Sequence, residues 1–294
     1  KFYGPNNATL VLVGDFETDQ AKTMIEKYFG EVKRGEDVPK LTPMRTTLEQ
    51  TKRLYHEDNF ATTAQLNMVW PTLEQYTDDA YALNVLAELI SRGKNAPLYK
   101  VLEKEEGLSS SYYSFNRSGE LAGVFRISVT ANDGKSLKDV EAGVNEAFTL
   151  FEKDGVTDRD IARVKAGLET GFYNGISSVQ GKAFQLASYN VFAGSPSFIE
   201  TDIENIQKVT KEDVIRAYNT YIKDMPFVMT SFVPKGKLDL IADNSTKAEV
   251  VEEKIVENIQ KQTTEQITDQ VVKTPSVFDR SLEPVQGDSP ALTV

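Results

Sequence analysis

Hydrophobic residues recur along the chain with two different periods. Between residues 62 and 71, Leu66, Met68 and Trp70 alternate with their neighbours, which is the period of a β-strand with one buried face. Between residues 78 and 91 the apolar positions recur every three or four residues, which indicates an amphipathic helix. The chain therefore combines strands and helices, and Trp70 is expected to anchor the core.

The two periods predict an ordered series of elements. Strands are expected over residues 9–13, 51–58, 62–71, 109–117, 122–131 and 226–234. Helices are expected before Gly30 and over residues 78–91, 95–107, 136–155, 156–176, 180–194 and 210–222. This order predicts an α+β fold in which helices pack on one face of a mostly antiparallel sheet.

Polar residues at the predicted helix starts indicate how those ends are capped. Asp78 or Asp79 is expected to cap the helix over residues 78–91. Thr157, with Asp160 three residues later, is expected to cap the helix that begins after it. Such side chains accept hydrogen bonds from backbone N–H groups that the first turn leaves without partners.

Changes in composition divide the chain into segments. Residues 1–33 carry one strand and one helix, and residues 34–48, rich in charge, glycine and proline, predict a linker. Residues 49–235 are expected to form a complete αβ domain. Residues 236–294 are expected to connect to a further unit. The Glu/Gln/Thr/Lys-rich stretch 238–273 fits either a helix lying on a neighbour or a solvated segment.

The charge of the chain bears on its partners. Acidic residues outnumber basic ones by 44 to 33, and a net charge of -11 repels the phosphate backbone of nucleic acids. No apolar run approaches the roughly 20 residues of a membrane helix, and the opening stretch KFYGPNNATL lacks the regions of a signal peptide. We therefore expect a soluble chain, cytoplasmic or periplasmic, that binds neither nucleic acid nor membrane.

The residues available for catalysis are few. The sequence has no cysteine and one histidine, His56. A catalytic zinc site usually takes three protein ligands, and a serine-type triad needs a positioned base. We therefore predict no catalytic residue and no metal ligand in this chain, and we expect His56 to be a strand residue.

Several motifs resemble, in order, those of the pitrilysin/insulinase-like (inverzincin) zinc metallopeptidases, which include mitochondrial processing peptidase and the core subunits of the respiratory bc1 complex. The stretch from Asn7 to Asp15 is similar to the strand near the end of that family's first domain. A helix-to-strand unit, a Gly-Val-Thr element and a Val-Thr-x-Glu-Asp-Val element follow. They are carried by Leu98, Tyr99, Leu102, Gly107 and Leu108, by the tract from Gly155, and by the tract from Val209.

The resemblance implies what the parent protein does. In that family an inverted H-x-x-E-H helix and a downstream Glu hold zinc in the first of two similar αβ domains, and the zinc-bound water attacks the peptide bond. This sequence has no such pattern. The resemblance thus implies that residues 1–33 end a first, zinc-bearing domain and residues 49–235 form the non-catalytic second domain. Zinc is expected in the parent protein and none in this chain, and the implied partners are peptide or unfolded-protein substrates and the remaining domains.

Members of the family also bind the substrate carbonyl with an Arg and a Tyr seven residues apart. The matching positions here are Glu103 and Ser110, and a carboxylate cannot donate a hydrogen bond to an oxyanion. Arg117 and Tyr112 lie nearby but out of register. The carry-over of this role therefore fails, and we interpret both as ordinary strand residues.

The carboxylates of the same stretch do not predict acid–base chemistry. Glu105 and Glu106 are sequence neighbours and so do not share a helix face. We expect the run from Glu103 to Glu106 to be a solvated helix end.

Three functional hypotheses follow. The first is a non-catalytic domain that forms part of the substrate chamber of a zinc endopeptidase. The second is an inactive scaffold or assembly subunit with the same fold. The third is a peptide-binding module that uses a strand edge bearing Tyr112, Tyr113 and Phe115. The acidic charge would favour basic or neutral peptides only if the substrate-facing wall shares it.

Overall fold

The computed structural model describes residues 2–250 and contains both kinds of predicted element. The strands are β1 (Lys52–Asp58), β2 (Gln65–Thr72), β3 (Ser111–Ser118), β4 (Gly123–Thr130), β5 (Val228–Pro234) and β6 (Thr246–Lys247). The helices are α1 (Thr18–Phe29), α2 (Asp78–Ser91), α3 (Leu137–Asp154), α4 (Asp158–Gly175), α5 (Val179–Ser188), α6 (Ile199–Lys208) and α7 (Lys211–Tyr221). Short helical turns lie at Pro5–Asn7, Tyr99–Glu105, Tyr189–Ala193, Pro196–Phe198 and Leu238–Leu240.

The strands form one six-stranded sheet in the order β3-β4-β2-β5-β1-β6. The pairs β3–β4, β4–β2 and β2–β5 are antiparallel, whereas β1 is parallel to both β5 and β6. Met68 of β2 is opposite Ile127 of β4 on one side and Met229 of β5 on the other. The apolar residues that alternate along β2, β4 and β5 therefore form continuous buried rows. The predicted α+β class is confirmed.

The helices pack on the face of the sheet that carries those rows. The ring of Trp70, which is 2% exposed, lies 6.0 Å from the ring of Phe148 in α3. Ser114 Oγ of β3 donates a hydrogen bond to the Ala87 carbonyl of α2 at 2.7 Å. Helix α2 is buried on most of its circumference because β3, α4, α6 and α7 all contact it. Trp70 is thus a core anchor, as predicted.

The helix caps follow the sequence in one case and differ in another. Thr157 and Asp160 form a capping box at the start of α4, as expected. At α2 the N-cap residue is Thr77, so Asp78 and Asp79 lie in the first turn. The prediction that one of them is the cap is wrong.

The reason lies in the tertiary contacts of Asp79. Its carboxylate accepts hydrogen bonds from Arg216 and Tyr221 and ties the start of α2 to α7. The Asp79 carboxylate is therefore bound to side chains of α7 and does not cap the backbone N–H groups of α2.

The helix predicted over residues 95–107 is present but is wider than an α-helix. Residues Tyr99–Glu105 have π-helical geometry, and the N–H groups of Leu108 and Ser109 both donate to the Leu102 carbonyl, at 2.7 and 3.1 Å. Gly107 has a φ of 58°, a left-handed conformation that glycine adopts without a Cβ clash. This glycine lets the chain turn sharply from the helix into β3.

The first predicted strand, over residues 9–13, is not formed. A strand requires a second strand to satisfy its N–H and C=O groups, and no strand within residues 2–250 pairs with this segment. Helix α1 forms as predicted and ends before Gly30, but none of its residues is buried. Leu10 and Leu12 are 61% and 52% exposed, so within residues 2–250 the apolar side chains of this segment are not packed into a core.

The sequence did not predict α6 or β6. The residues of β6 pair with Leu54 and Tyr55 of β1, so the start of the predicted connector lies against the sheet edge. The rest of the connector, residues 251–294, lies outside the described residues. No helix within residues 2–250 has both the length and the apolar character needed to cross a membrane.

Candidate functional site

The two positions that match the family's carbonyl-binding pair have other partners. Glu103 accepts a hydrogen bond from the Tyr112 hydroxyl at 2.9 Å, and Ser110 Oγ donates to Asn132 Oδ1 at 3.2 Å. Burial and this bond to Glu103 raise the pKa of the Tyr112 phenol. Tyr112 therefore gives its only proton to Glu103 and does not present a donor to a substrate.

The other candidate residues of this stretch are separated from one another. Arg117 is exposed on β3 and lines a cavity beside α2. Glu105 and Glu106 are exposed at the end of the π-helical turn, which confirms a solvated helix end.

His56 lies on β1, half-buried, with its ring 5.7 Å from the ring of Phe232. Among the residues described, no group of three or more His, Cys, Asp or Glu side chains is placed to hold a metal ion. The structure thus places His56 on a strand, as predicted.

The sheet has a second face, opposite the helices. Contacts from the strands to the helices come from residues such as Trp70, Ser114 and Asn116, and the alternate residues of each strand lie on the opposite side. We call this side the open face. By this register it is made of Lys52, Leu54, His56, Asp58, Gln65, Asn67, Val69, Pro71, Ser111, Tyr113, Phe115, Arg117, Val124, Arg126, Ser128, Thr130, Val228, Thr230, Phe232 and Pro234.

A polar cluster lies in the middle of the open face. Asn67 of β2 is opposite Ser128 of β4, and Arg126 is two residues before Ser128 on the same strand. Asn67 Oδ1 accepts a hydrogen bond from Ser128 Oγ at 2.8 Å and a second one from Arg126 Nη2. Asn67 and Ser128 are only 4% and 1% exposed. The cluster is therefore held rigidly by two adjacent central strands.

The guanidinium of Arg126 is only partly satisfied. Its Nε is buried and has no hydrogen-bond partner, and within residues 2–250 no carboxylate forms an ion pair with it. Burying a charge without a counter-ion is costly. A half-buried and unpaired cation in a sheet centre calls for a functional explanation.

Aromatic residues flank the cluster on the side of β3. Phe115 is opposite Arg126, and Tyr113 is opposite Ser128. The two rings stack with centroids 6.0 Å apart, and Tyr113 is 46% exposed. Tyr112 lies on the helix side, so the predicted trio of Tyr112, Tyr113 and Phe115 does not share one surface, because successive residues of a strand alternate between faces.

A cavity of about 340 Å³ lies between α2, β3, α4 and α6. Asp202 of α6 is on its wall and accepts hydrogen bonds from the hydroxyls of Tyr81 and, at 2.6 Å, Tyr189. Burial, and then the bond to Asp202, raises the pKa of both phenols. These bonds join α6 to α2, so Asp202 and the two tyrosines belong to the packing between helices.

The sequence interpretation missed the polar cluster. Its signal is a single charged residue, Arg126, inside the apolar strand sequence AGVFRISVTA. Alternation predicts that Arg126 faces away from the core. Ser128 shares this face because it is two residues further along the same strand, but only the register of β2 against β4 shows that Asn67 lies beside both.

Comparison with known proteins identifies peptidases and inactive peptidase domains as similar to this chain. A family model described as the peptidase M16 inactive domain matches residues 1–168. The chain is 26% identical over 212 residues to a "probable inactive metalloprotease", YmfF, of Bacillus subtilis, a match that covers 71% of this chain and 48% of the relative. It is 21% identical over 238 residues to the zinc protease PqqE of Helicobacter pylori, covering 76% of this chain and 50% of the relative.

The fold is also similar to that of a solved structure. A protease from Helicobacter pylori superimposes with a TM-score of 0.68 at 19% identity, covering 79% of this chain and 57% of that chain. The chain spans about half the length of the curated relatives that it matches.

Proposed function

Because the chain belongs to the peptidase M16 inactive-domain family, we propose that it is the non-catalytic domain of a zinc-dependent endopeptidase. In this role it forms part of the wall of the chamber that holds peptide substrates. The observation that carries the proposal is the match to an inactive domain in a sequence that has one histidine and no H-x-x-E-H pattern. The zinc and its activated water then come from another part of the parent protein.

The domain organisation belongs to the same proposal. We assign residues 1–33 to the end of the zinc-bearing domain, 34–48 to a linker, 49–235 to the non-catalytic domain and 236–294 to a connector. The apolar side of α1 supports the first assignment, since Met24, Ile25 and Tyr28 line an apolar groove with Leu10 and Leu12. The rest of an αβ domain would cover this groove.

Metal analysis and cleavage assays test the proposal. The chain alone, dialysed against zinc, should retain no stoichiometric zinc and should not cleave a fluorescently labelled unfolded protein. The parent protein should retain zinc and should cleave the labelled protein. Its activity should disappear when residues 49–235 are deleted. One tightly bound zinc per chain in residues 1–294 would contradict the assignment.

A second candidate is an inactive scaffold subunit. It is supported by the relative named as a probable inactive metalloprotease and by the presence of Glu103 and Ser110 at the carbonyl-binding positions. The two candidates differ in one feature of the parent gene. An H-x-x-E-H pattern encoded upstream favours the peptidase, and its absence favours the scaffold.

A further inference from the structure

We propose that the polar cluster of the open face binds a carboxylate of a peptide, either the C-terminal carboxylate or an Asp or Glu side chain. Arg126 supplies the charge and Asn67 fixes its position. The proposal rests on the proposed function, because a wall that faces the chamber of an endopeptidase would meet peptides. It reverses the preference for basic or neutral peptides that the net charge suggests.

The hydrogen-bonding inventory of the cluster favours an anion. Asn67 Oδ1 is fully used, since it accepts from both Arg126 and Ser128. Within the described residues, Arg126 Nη1 and Asn67 Nδ2 form no hydrogen bond. Both groups are donors only. The cluster therefore offers N–H groups to a ligand and has no free carboxylate or carbonyl of its own to offer a cation.

The charges around the cluster point the same way. The four adjacent strands β3, β4, β2 and β5 carry no Asp or Glu, although the whole chain carries a net charge of -11. The acidic residue of the open face is Asp58 at the end of β1, and β2 and β5 lie between β1 and the strand of Arg126. The surface that a peptide would meet is therefore locally basic. A carboxylate that approaches Arg126 meets no like charge on these four strands.

The surroundings of Arg126 strengthen such a contact. Phe115 and Val69 lie opposite it on the two neighbouring strands, and its Nε is buried. Hydrogen bonds between ions are stronger where water is excluded. The stacked rings of Tyr113 and Phe115 also provide apolar area for the residue next to the bound carboxylate.

Peptide binding measured by fluorescence anisotropy tests the inference on the whole 294-residue chain. Three probes share one labelled neutral hexapeptide sequence: one has a free C-terminus, one is C-terminally amidated, and one is amidated with a single internal Glu. We expect at least one carboxylate probe to bind about tenfold to a hundredfold more tightly than the neutral amide. The preference should decrease as salt concentration rises.

Variants connect the preference to the cluster. Arg126→Gln should abolish it and Arg126→Lys should keep part of it, because Lys retains the charge but loses the planar fork. Arg159→Gln, at an exposed position of α4, removes the same charge elsewhere and should leave the preference unchanged. Asn67→Asp places a carboxylate beside Arg126 and should also abolish the preference.

Each result has a defined meaning. Tighter binding of the free C-terminus alone identifies a terminal carboxylate, and equal tightening by the internal Glu identifies a side chain. Equal affinity of all three probes for the wild-type chain overturns the inference, as does a preference that survives in folded Arg126→Gln. If Arg126→Gln does not fold, Asn67→Asp decides, and a preserved preference in that folded variant overturns the inference. The outcome does not depend on zinc or cleavage, so it stands apart from the test of the proposed function.

Discussion

Gly143 of α3 packs against the helix-to-strand unit that leads into β3. A Cβ added to Gly143 would lie 2.7 Å from Leu102 Cδ2, 2.9 Å from Leu108 Cδ1 and 3.7 Å from Val101 Cγ1. Leu102 and Leu108 are 0% and 3% exposed and flank the turn into β3. We therefore predict that Gly143→Ala destabilises the protein, although alanine favours helix formation.

The magnitude follows from two opposing contributions. Replacing glycine by alanine inside a helix stabilises it by about 1 kcal/mol. Inserting a methyl group into a packed core costs roughly 1–3 kcal/mol. Since the atoms in the way are the ends of two leucine side chains packed in the core, we expect the cost to prevail and a net loss of about 1 kcal/mol.

Gly167 provides the matched control. It lies inside α4, and apart from its chain neighbours and the nearby backbone of its own helix, no atom of residues 2–250 is within 4 Å of the position of its Cβ. Gly167→Ala should therefore show only the helix-forming benefit and stabilise the protein by about 0.5–1 kcal/mol. The two substitutions are chemically identical, so their difference of about 2 kcal/mol measures the crowding at Gly143.

Urea unfolding followed by tryptophan fluorescence measures both effects. Trp70 is the only tryptophan of the chain, and its ring contacts Phe148 of α3. With an m value of about 2 kcal/mol/M, the two unfolding midpoints should differ by roughly 1 M. If Gly143→Ala is as stable as Gly167→Ala, the close approach of α3 to Leu102 and Leu108 is wrong.

Three further predictions concern helix ends, acid stability and the N-terminal segment. Thr157→Ala should lower the free energy of unfolding by about 1 kcal/mol and Thr157→Ser by much less, because serine keeps the capping hydroxyl; the same urea titration checks both. Hydrogen bonds from Lys223 and Tyr218 hold the pKa of Glu152 below its usual value, so its contribution is present above the unfolded pKa of about 4.3 and is lost as pH falls further. Thermal unfolding between pH 6 and pH 3 should therefore show a shallower acid loss for Glu152→Gln, and an unchanged slope would contradict this. Ile25→Ser should change the stability of this chain by less than about 0.5 kcal/mol, but that of the parent protein by about 2 kcal/mol if a first domain covers α1.

Sequence periodicity predicts elements well where burial on one face is strong. The alternation in β2 and β4 and the capping box of Thr157 are local features, and the structure contains them as expected. It fails at residues 9–13, because an apolar β-rich segment forms a strand only if another strand lies beside it. The two-residue strand β6 has no periodicity to detect, since pairing with β1 alone creates it.

The candidate site shows the same limit more sharply. A sequence can place Arg126 on the outward side of a strand, but its environment depends on register. Asn67 precedes Arg126 by 59 residues and becomes its hydrogen-bond partner only because β2 and β4 are adjacent. The π-helical turn at Tyr99–Glu105 is similarly invisible, as a wider helix and an α-helix share nearly the same apolar pattern.

The position of Arg126 also separates binding from a simpler role as a solubilising charge. Charges that keep sheets from associating are effective on edge strands, where the side chain remains hydrated. Arg126 instead lies on β4, with strands paired on both sides, and its Nε has lost water without gaining a partner. A hydrated lysine there would protect the sheet without this cost, whereas a fixed guanidinium held by Asn67 is preorganised for a planar anion. The cost of holding the charge without a counter-ion therefore supports the proposed binding of a peptide carboxylate.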